Sequence, residues 1–137
     1  AAGVDRAALT FLVDAYDRED TGKEIRTVLR FHPELAPVQV AVFPLVRKEG
    51  MPEKADEIVA ALRGRFRVAT EAKQSIGKRY RRQDELGTPY CVTVDGDTIA
   101  DDTVTVRDRD TMEQERVPVA ELETVLAQRA LHWSRTR

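Results

Sequence analysis

Past Pro37 the sequence settles into a rhythm that few folds can satisfy: apolar strand, amphipathic helix, strand, basic helix, apolar strand. "VQVAVFPLV" (38–46) is a nearly continuous valine-rich run, the pattern of a strand buried on both faces. "PEKADEIVAALRGRF" (52–66) follows as a helix, with Pro52 in its first turn, acids near its start and Gly64 near its stop. Ala55, Ile58, Val59 and Leu62 form its apolar stripe. "RVATEA" (67–72) is a second strand, and residues 76–86 form a second helix, capped by Ser75 and closed by Gly87 with Pro89 beyond.

"YCVTVD" (90–95) is a third strand and "GDTIADD" a loop or turn. "TVTVRDRD" (103–110) alternates strictly, with Val104 and Val106 on one face and Thr103, Thr105, Arg107 and Arg109 on the other. "QERVPV" (114–119) pairs back on it, and "AELETVLAQRALHW" (120–133) closes the chain as a helix. The order β-α-β-α-β-β-β-α predicts parallel pairing first and an antiparallel hairpin last. The expected fold is therefore α/β, a mixed five-stranded sheet flanked by three helices.

Upstream of this unit, residues 5–17 read as a helix with Val4, Ala7, Ala8, Phe11, Leu12 and Ala15 at helical spacing. "DREDTGKEI" (17–25) is polar and turn-like, and "RTVLRF" (26–31) is a short strand. "HPELAP" (32–37), with two prolines, reads as a linker. The chain opens without an initiator Met or a signal-peptide pattern and is expected to belong to something longer.

Composition narrows the chemistry. No window approaches the roughly 18 apolar residues of a membrane span, so a soluble chain is expected, with no membrane partner. The lone cysteine, Cys91, excludes an internal disulfide and fits a reducing, cytoplasmic setting. His32 and His132 lie far apart, and no HExxH, CxxC or GxSxG pattern occurs, so neither a metal site nor a nucleophile is expected. "SIGKRY" lacks the spacing of a phosphate loop. The acids at 95–110 read as solvated turns and strand ends.

A net charge of −2 argues against an indiscriminate nucleic-acid binder, so any such contact requires a local patch. One exists. Lys78, Arg79, Arg81 and Arg82 crowd one stretch of the second helix. At about 100° per residue, Ile76, Tyr80 and Gln83 share one face, and Lys78, Arg81, Arg82 and Glu85 share the opposite one, with Arg79 on the flank. The cationic face is either a solvated surface or a phosphate-backbone contact. Arg107, Arg109 and Arg116 either extend it or pair with Asp108, Asp110, Glu113 or Glu115 across the strands. "GVDR" (3–6) is the one hint of a nucleotide site, a glycine followed by an arginine at a helix start.

Taken together, "LAPVQVAVFPLV", "SIGKRYRRQDELGTPYCVTVD" and "DTVTVRDRDTMEQERV" resemble the C-terminal anticodon-binding domain of bacterial-type, class II glycyl-tRNA synthetases, over essentially the whole chain. The resemblance implies a division into 1–31, the end of the catalytic domain with its motif 3 helix; 32–37, a linker; and 38–137, the anticodon-binding domain. By the same resemblance Gly3, Val4, Asp5 and Arg6 belong to the ATP site, with Arg6 stacking on adenine, and Ala1, Ala2 and Gly3 edge the glycine pocket. The whole enzyme would use ATP and Mg2+ to form glycyl-adenylate and pass glycine to tRNA(Gly). No catalytic residue is expected in this chain, nor a bound cofactor. Its expected partners are the tRNA anticodon arm and the catalytic domain of the same protein, in a homodimer. Lys78, Arg79, Arg81 and Arg82 are the candidates for backbone and loop contacts, and Gln83, Arg107 and Arg109 for base contacts. The alternatives are a non-catalytic RNA- or DNA-binding accessory module with the same fold, or a plain protein-interaction domain.

Overall fold

The computed structural model describes residues 2–135, with the side chains of Ala2 and Val4 outside the description. Helix α1 (Ala2–Ala15) leads into a two-stranded antiparallel hairpin, β1 (Tyr16–Asp20) and β2 (Ile25–Leu29). The main sheet is built from β3 (Val40–Pro44), β4 (Val68–Thr70), β5 (Tyr90–Val94), β6 (Thr103–Asp108) and β7 (Gln114–Pro118). Its order is β4-β3-β5-β6-β7, parallel at β4-β3-β5 and antiparallel from β5 to β7. The helices are α2 (Met51–Leu62), α3 (Ile76–Leu86), α4 (Gly96–Asp101) and α5 (Leu122–Leu131). No described helix is long and apolar enough to cross a membrane.

Period-two alternation sorts the sheet's side chains into two layers. Val40, Val42, Val92, Val94, Val104 and Val106 are fully buried against Ile58, Val59 and Leu62 of α2 and Leu122 and Leu126 of α5. The opposite face carries Ala41, Phe43 and Cys91, on which Ile76 and Tyr80 of α3 sit. The helix α3 is therefore alone on its side of the sheet among the longer helices of this domain. Ser75 caps its start, its hydroxyl accepting from the Lys78 amide at 3.4 Å. Gly87 ends it at φ +84°, where a Cβ would stand 2.4 Å from the Phe31 ring and 3.0 Å from the Leu29 carbonyl oxygen.

Two segments differ from the sequence expectation. The polar stretch expected as a turn supplies β1, because pairing Tyr16–Asp20 against Ile25–Leu29 satisfies its backbone where its own residues carry little strand propensity. "GDTIADD", expected as a loop, contains α4. Asp95 accepts from the Thr98 amide at 3.1 Å and Thr98 returns a bond to the Asp95 amide at 3.0 Å, a reciprocal cap that nucleates one short helix.

Residues 32–37, read as a linker, are folded against the sheet edge. Ala36 is fully buried, Arg67 donates to the Ala36 and Glu34 carbonyls at 2.8 and 2.7 Å, and Gln39 donates to the Pro33 carbonyl at 3.1 Å. The hairpin upstream is fastened as well, through ion pairs from Arg26 to Asp84 and from Arg30 to Asp110.

Candidate nucleic-acid interface

The helix α3 divides its charged residues between an inner and an outer set. Lys78 and Arg82 are exposed, and Arg81 lies half-buried at the rim. With Glu24, Gln74, Ser75, Gly77 and Glu85 these cations line an open groove of about 590 Å3 that runs along the helix. No acid occupies the first turn of α3, where the helix dipole favours a negative charge. Lys78 has no ion-pair partner among the described residues, and Arg82 reaches Glu71 only at 3.9 Å. Arg81 donates from Nε to Glu24 Oε1 at 2.5 Å and from a terminal nitrogen to Asp84 Oδ2 at 3.2 Å.

The other four candidates lie inside the protein. Arg79 is buried and crosses the Phe43 ring at 5.3 Å to donate to the carbonyls of Pro44, Glu71 and Leu45 at 2.7, 3.1 and 3.2 Å. Those carbonyls end β3 and precede α3, and they capture the guanidinium that the helical wheel left on the flank. Burial pushes the Arg79 guanidinium below its ordinary pKa, with the Glu71 charge opposing. Gln83 is buried and accepts from the Thr88 hydroxyl at 2.6 Å. Arg107 is buried, clasps both oxygens of Asp84 at 2.8 and 3.1 Å, and lies over the Tyr80 ring at 4.8 Å. Arg109 is fully buried and donates to Gly87 and Phe31 carbonyls at 2.9 and 2.8 Å and to Asp110 at 3.0 Å. In this conformation none of the four presents a donor to solvent-borne RNA; they hold the platform.

The centre of that platform is Asp84, a residue the sequence reading left out. Its fully buried carboxylate receives Arg107 from β6, Arg81 from its own helix, and Arg26 from β2 at 3.0 Å. Arg26 also donates to the Arg109 carbonyl at 2.7 Å and to Glu19 at 3.0 Å. Beside it, Arg30 joins Asp17, Glu19 and Asp110 at 2.9, 2.7 and 2.9 Å. Burial works to raise the Asp110 carboxyl, but Arg109, and after it Trp133 and Arg30, outweigh burial and hold it below the usual carboxylate range. The hairpin, α3 and the β6 end are thus joined through buried ion pairs.

A second concavity of about 610 Å3 opens between the β6–β7 turn and the end of α5. Asp108, Asp110, Glu113 and Glu115 line it against a single arginine, Arg129, which pairs with Glu115. Its sign opposes a phosphate backbone, and among the described residues no three His, Cys, Asp or Glu side chains are placed to hold a metal ion together. Cys91 is a buried thiol pushed up to about 12, chiefly by burial, and so is no nucleophile.

At the start of the chain, Gly3, Asp5 and Arg6 lie exposed on the first turns of α1; Ala1 falls outside the described residues, as do the Ala2 and Val4 side chains. The same helix exposes Leu9, Phe11, Leu12 and Val13.

Comparison with known proteins converges on one group. A family model described as "Anticodon binding domain" matches residues 39–129. The glycine–tRNA ligase of Rhodopirellula baltica is 56% identical over 124 residues, covering 87% of this chain and 23% of that protein. The glycine–tRNA ligase of Staphylococcus haemolyticus is 54% identical over 129 residues, covering 93% of this chain and 27% of that protein. The chain thus spans about a quarter of the length of these curated relatives. Among solved structures, a prolyl-tRNA synthetase from Cryptosporidium parvum superposes with a TM-score of 0.71 at 26% identity, over 76% of this chain and 24% of that one.

Proposed function

The chain belongs to the anticodon-binding domain family, and we propose from that premise that it binds the anticodon arm of tRNA(Gly) through the groove beside α3. The observation that carries this reading is the division of cations on one helix: Arg79 is bonded inward, while Lys78, in a first turn without acids, and Arg82, one turn further on, have no close ion-pair partner among the described residues. Phosphates of an RNA loop fit such a surface, since backbone contacts set register while splayed bases are read elsewhere on the domain. Arg79, Gln83, Arg107 and Arg109 then act at one remove, by fixing the platform on which the exposed cations ride.

For the whole protein we infer glycine–tRNA ligation driven by ATP, as the names of its relatives suggest, with catalysis residing outside this chain. Residues 1–31 would belong to the catalytic domain's end and the linker to 32–37, with Arg6 meeting ATP only when the remaining catalytic elements complete the site. A cytoplasmic homodimer is the expected form of the whole protein.

The test is a salt titration of this chain with a 17-nucleotide glycine anticodon stem-loop. Binding should weaken with salt at a slope of roughly −2 for three neutralised phosphates on single-stranded RNA. Lys78→Ala and Arg82→Ala should each flatten the slope by roughly 0.7. Unaltered binding and slope in the double variant would exclude the groove.

A further inference from the structure

Among the described residues, Arg81 is the one groove cation with a close carboxylate partner from another element. Glu24 sits in the β1–β2 turn, and its Oε1 accepts from Arg81 Nε at 2.5 Å. The turn that positions it is well made: the Thr21 amide donates to the Glu24 carbonyl at 2.9 Å, and Asp20 Oδ1 accepts from the Gly22 amide at 2.8 Å. Two residues on, Arg26 anchors the hairpin to buried Asp84. Glu24 is therefore held over the groove by the hairpin's own fastening, from a segment outside the matched residues 39–129.

This pair does little for folding, since its side chains are 33% and 51% exposed and such pairs are mostly screened by solvent. Its placement is informative in another way. We propose that Glu24 is a built-in competitor for the phosphate that Arg81 would otherwise bind, and that this competition makes the groove selective. The proposal rests on the groove reading above.

The geometry makes the exchange local. Asp84 keeps one terminal nitrogen of Arg81 at 3.2 Å, so losing Glu24 frees the Nε edge without releasing the guanidinium from the rim. An RNA that seats a phosphate at that edge replaces one anion by another. An RNA that touches only Lys78 and Arg82 meets the Glu24 carboxylate unshifted beside its backbone and is repelled. Specificity then arises from an element set against the wrong ligand, as well as from contacts to the right one.

The experiment is a double-mutant cycle on this chain with Glu24→Gln, Arg81→Ala and the combination, each checked for native unfolding behaviour. Two probes are used: the glycine anticodon stem-loop and the same stem-loop with its anticodon scrambled. Glu24→Gln should tighten both about two- to fivefold at low salt, the scale of one exposed ion pair. The scrambled probe should gain more, so that discrimination falls. On the Arg81→Ala background neither probe can draw Arg81 away from Glu24, so Glu24→Gln should help both probes equally and the difference between them should vanish. A difference between the probes that persists on that background, or no gain in wild type, overturns the competitor. If Lys78→Ala weakens binding while Glu24→Gln does nothing, the competitor alone is overturned; if neither variant responds, the groove itself is wrong.

Discussion

The inner and outer sides of α3 use the same residue type to opposite ends. Arg79 and Arg82 are three positions apart, yet one is buried against backbone carbonyls and the other reaches into solvent. Around Asp84 the contrast is sharper. Arg26 and Arg107 are sealed there, while Arg81 touches the same carboxylate from the rim and turns its other edge outward. A guanidinium is informative about function only once its partners are known. The buried set makes a rigid seat, and the exposed set is what that seat presents.

The largest effect that could break this comparison comes from Asp84→Asn. It leaves Arg26 and Arg107 without their shared buried charge, and unfolding in denaturant should show a loss of about 3–5 kcal/mol. A loss below about 1 kcal/mol would make the inner set no more structural than the outer. Gly87→Ala comes next. It puts a Cβ into the Phe31 ring at a left-handed backbone position, and about 1–3 kcal/mol should be lost.

Acid should act on the inner set more gently. The Asp110 carboxyl is held low in the folded state, so its contribution is fully present above the unfolded value of about 3.9 and fades as pH falls through the folded one. The difference in Tm between wild type and Asp110→Asn should therefore shrink from pH 5 to pH 2.5; a constant difference would mean that ionisation is not what Asp110 contributes. The smallest change belongs to the outer set. Lys78→Ala should alter stability by less than about 0.5 kcal/mol while still flattening the salt slope for RNA.

Much of this architecture is legible in the sequence, because apolar runs of period two and stripes of period 3.6 are imposed by burial itself. The strands VAVFP and YCVTV, the stripe Ala55–Leu62 and the stop at Gly87 all follow that logic. The candidate interface is legible only on its outer side. On a helical wheel Arg79 and Asp84 fall within about 80° of the inward direction, and a helix lying flat on a sheet encloses that much of its circumference. Charge alone signals solvent, whereas here Asp84 meets arginines from 23 and 58 residues away and Arg79 meets a backbone carbonyl from 35 residues away. A wheel cannot see those partners. The strand β1 was hidden for a related reason, its polar residues being held in place by a neighbour, and α4 was detectable only through the spacing of Asp95 and Thr98.

The Asp84 clasp also bears on how the molecule comes apart. A hairpin of two short strands would ordinarily open and close many times before the rest of a protein unfolds. Here, peeling β1 and β2 away would strand the Arg26 guanidinium and expose an unmatched carboxylate in the interior. Amide hydrogens of the hairpin should therefore exchange on the schedule of the whole sheet, so that two peripheral strands keep time with the core.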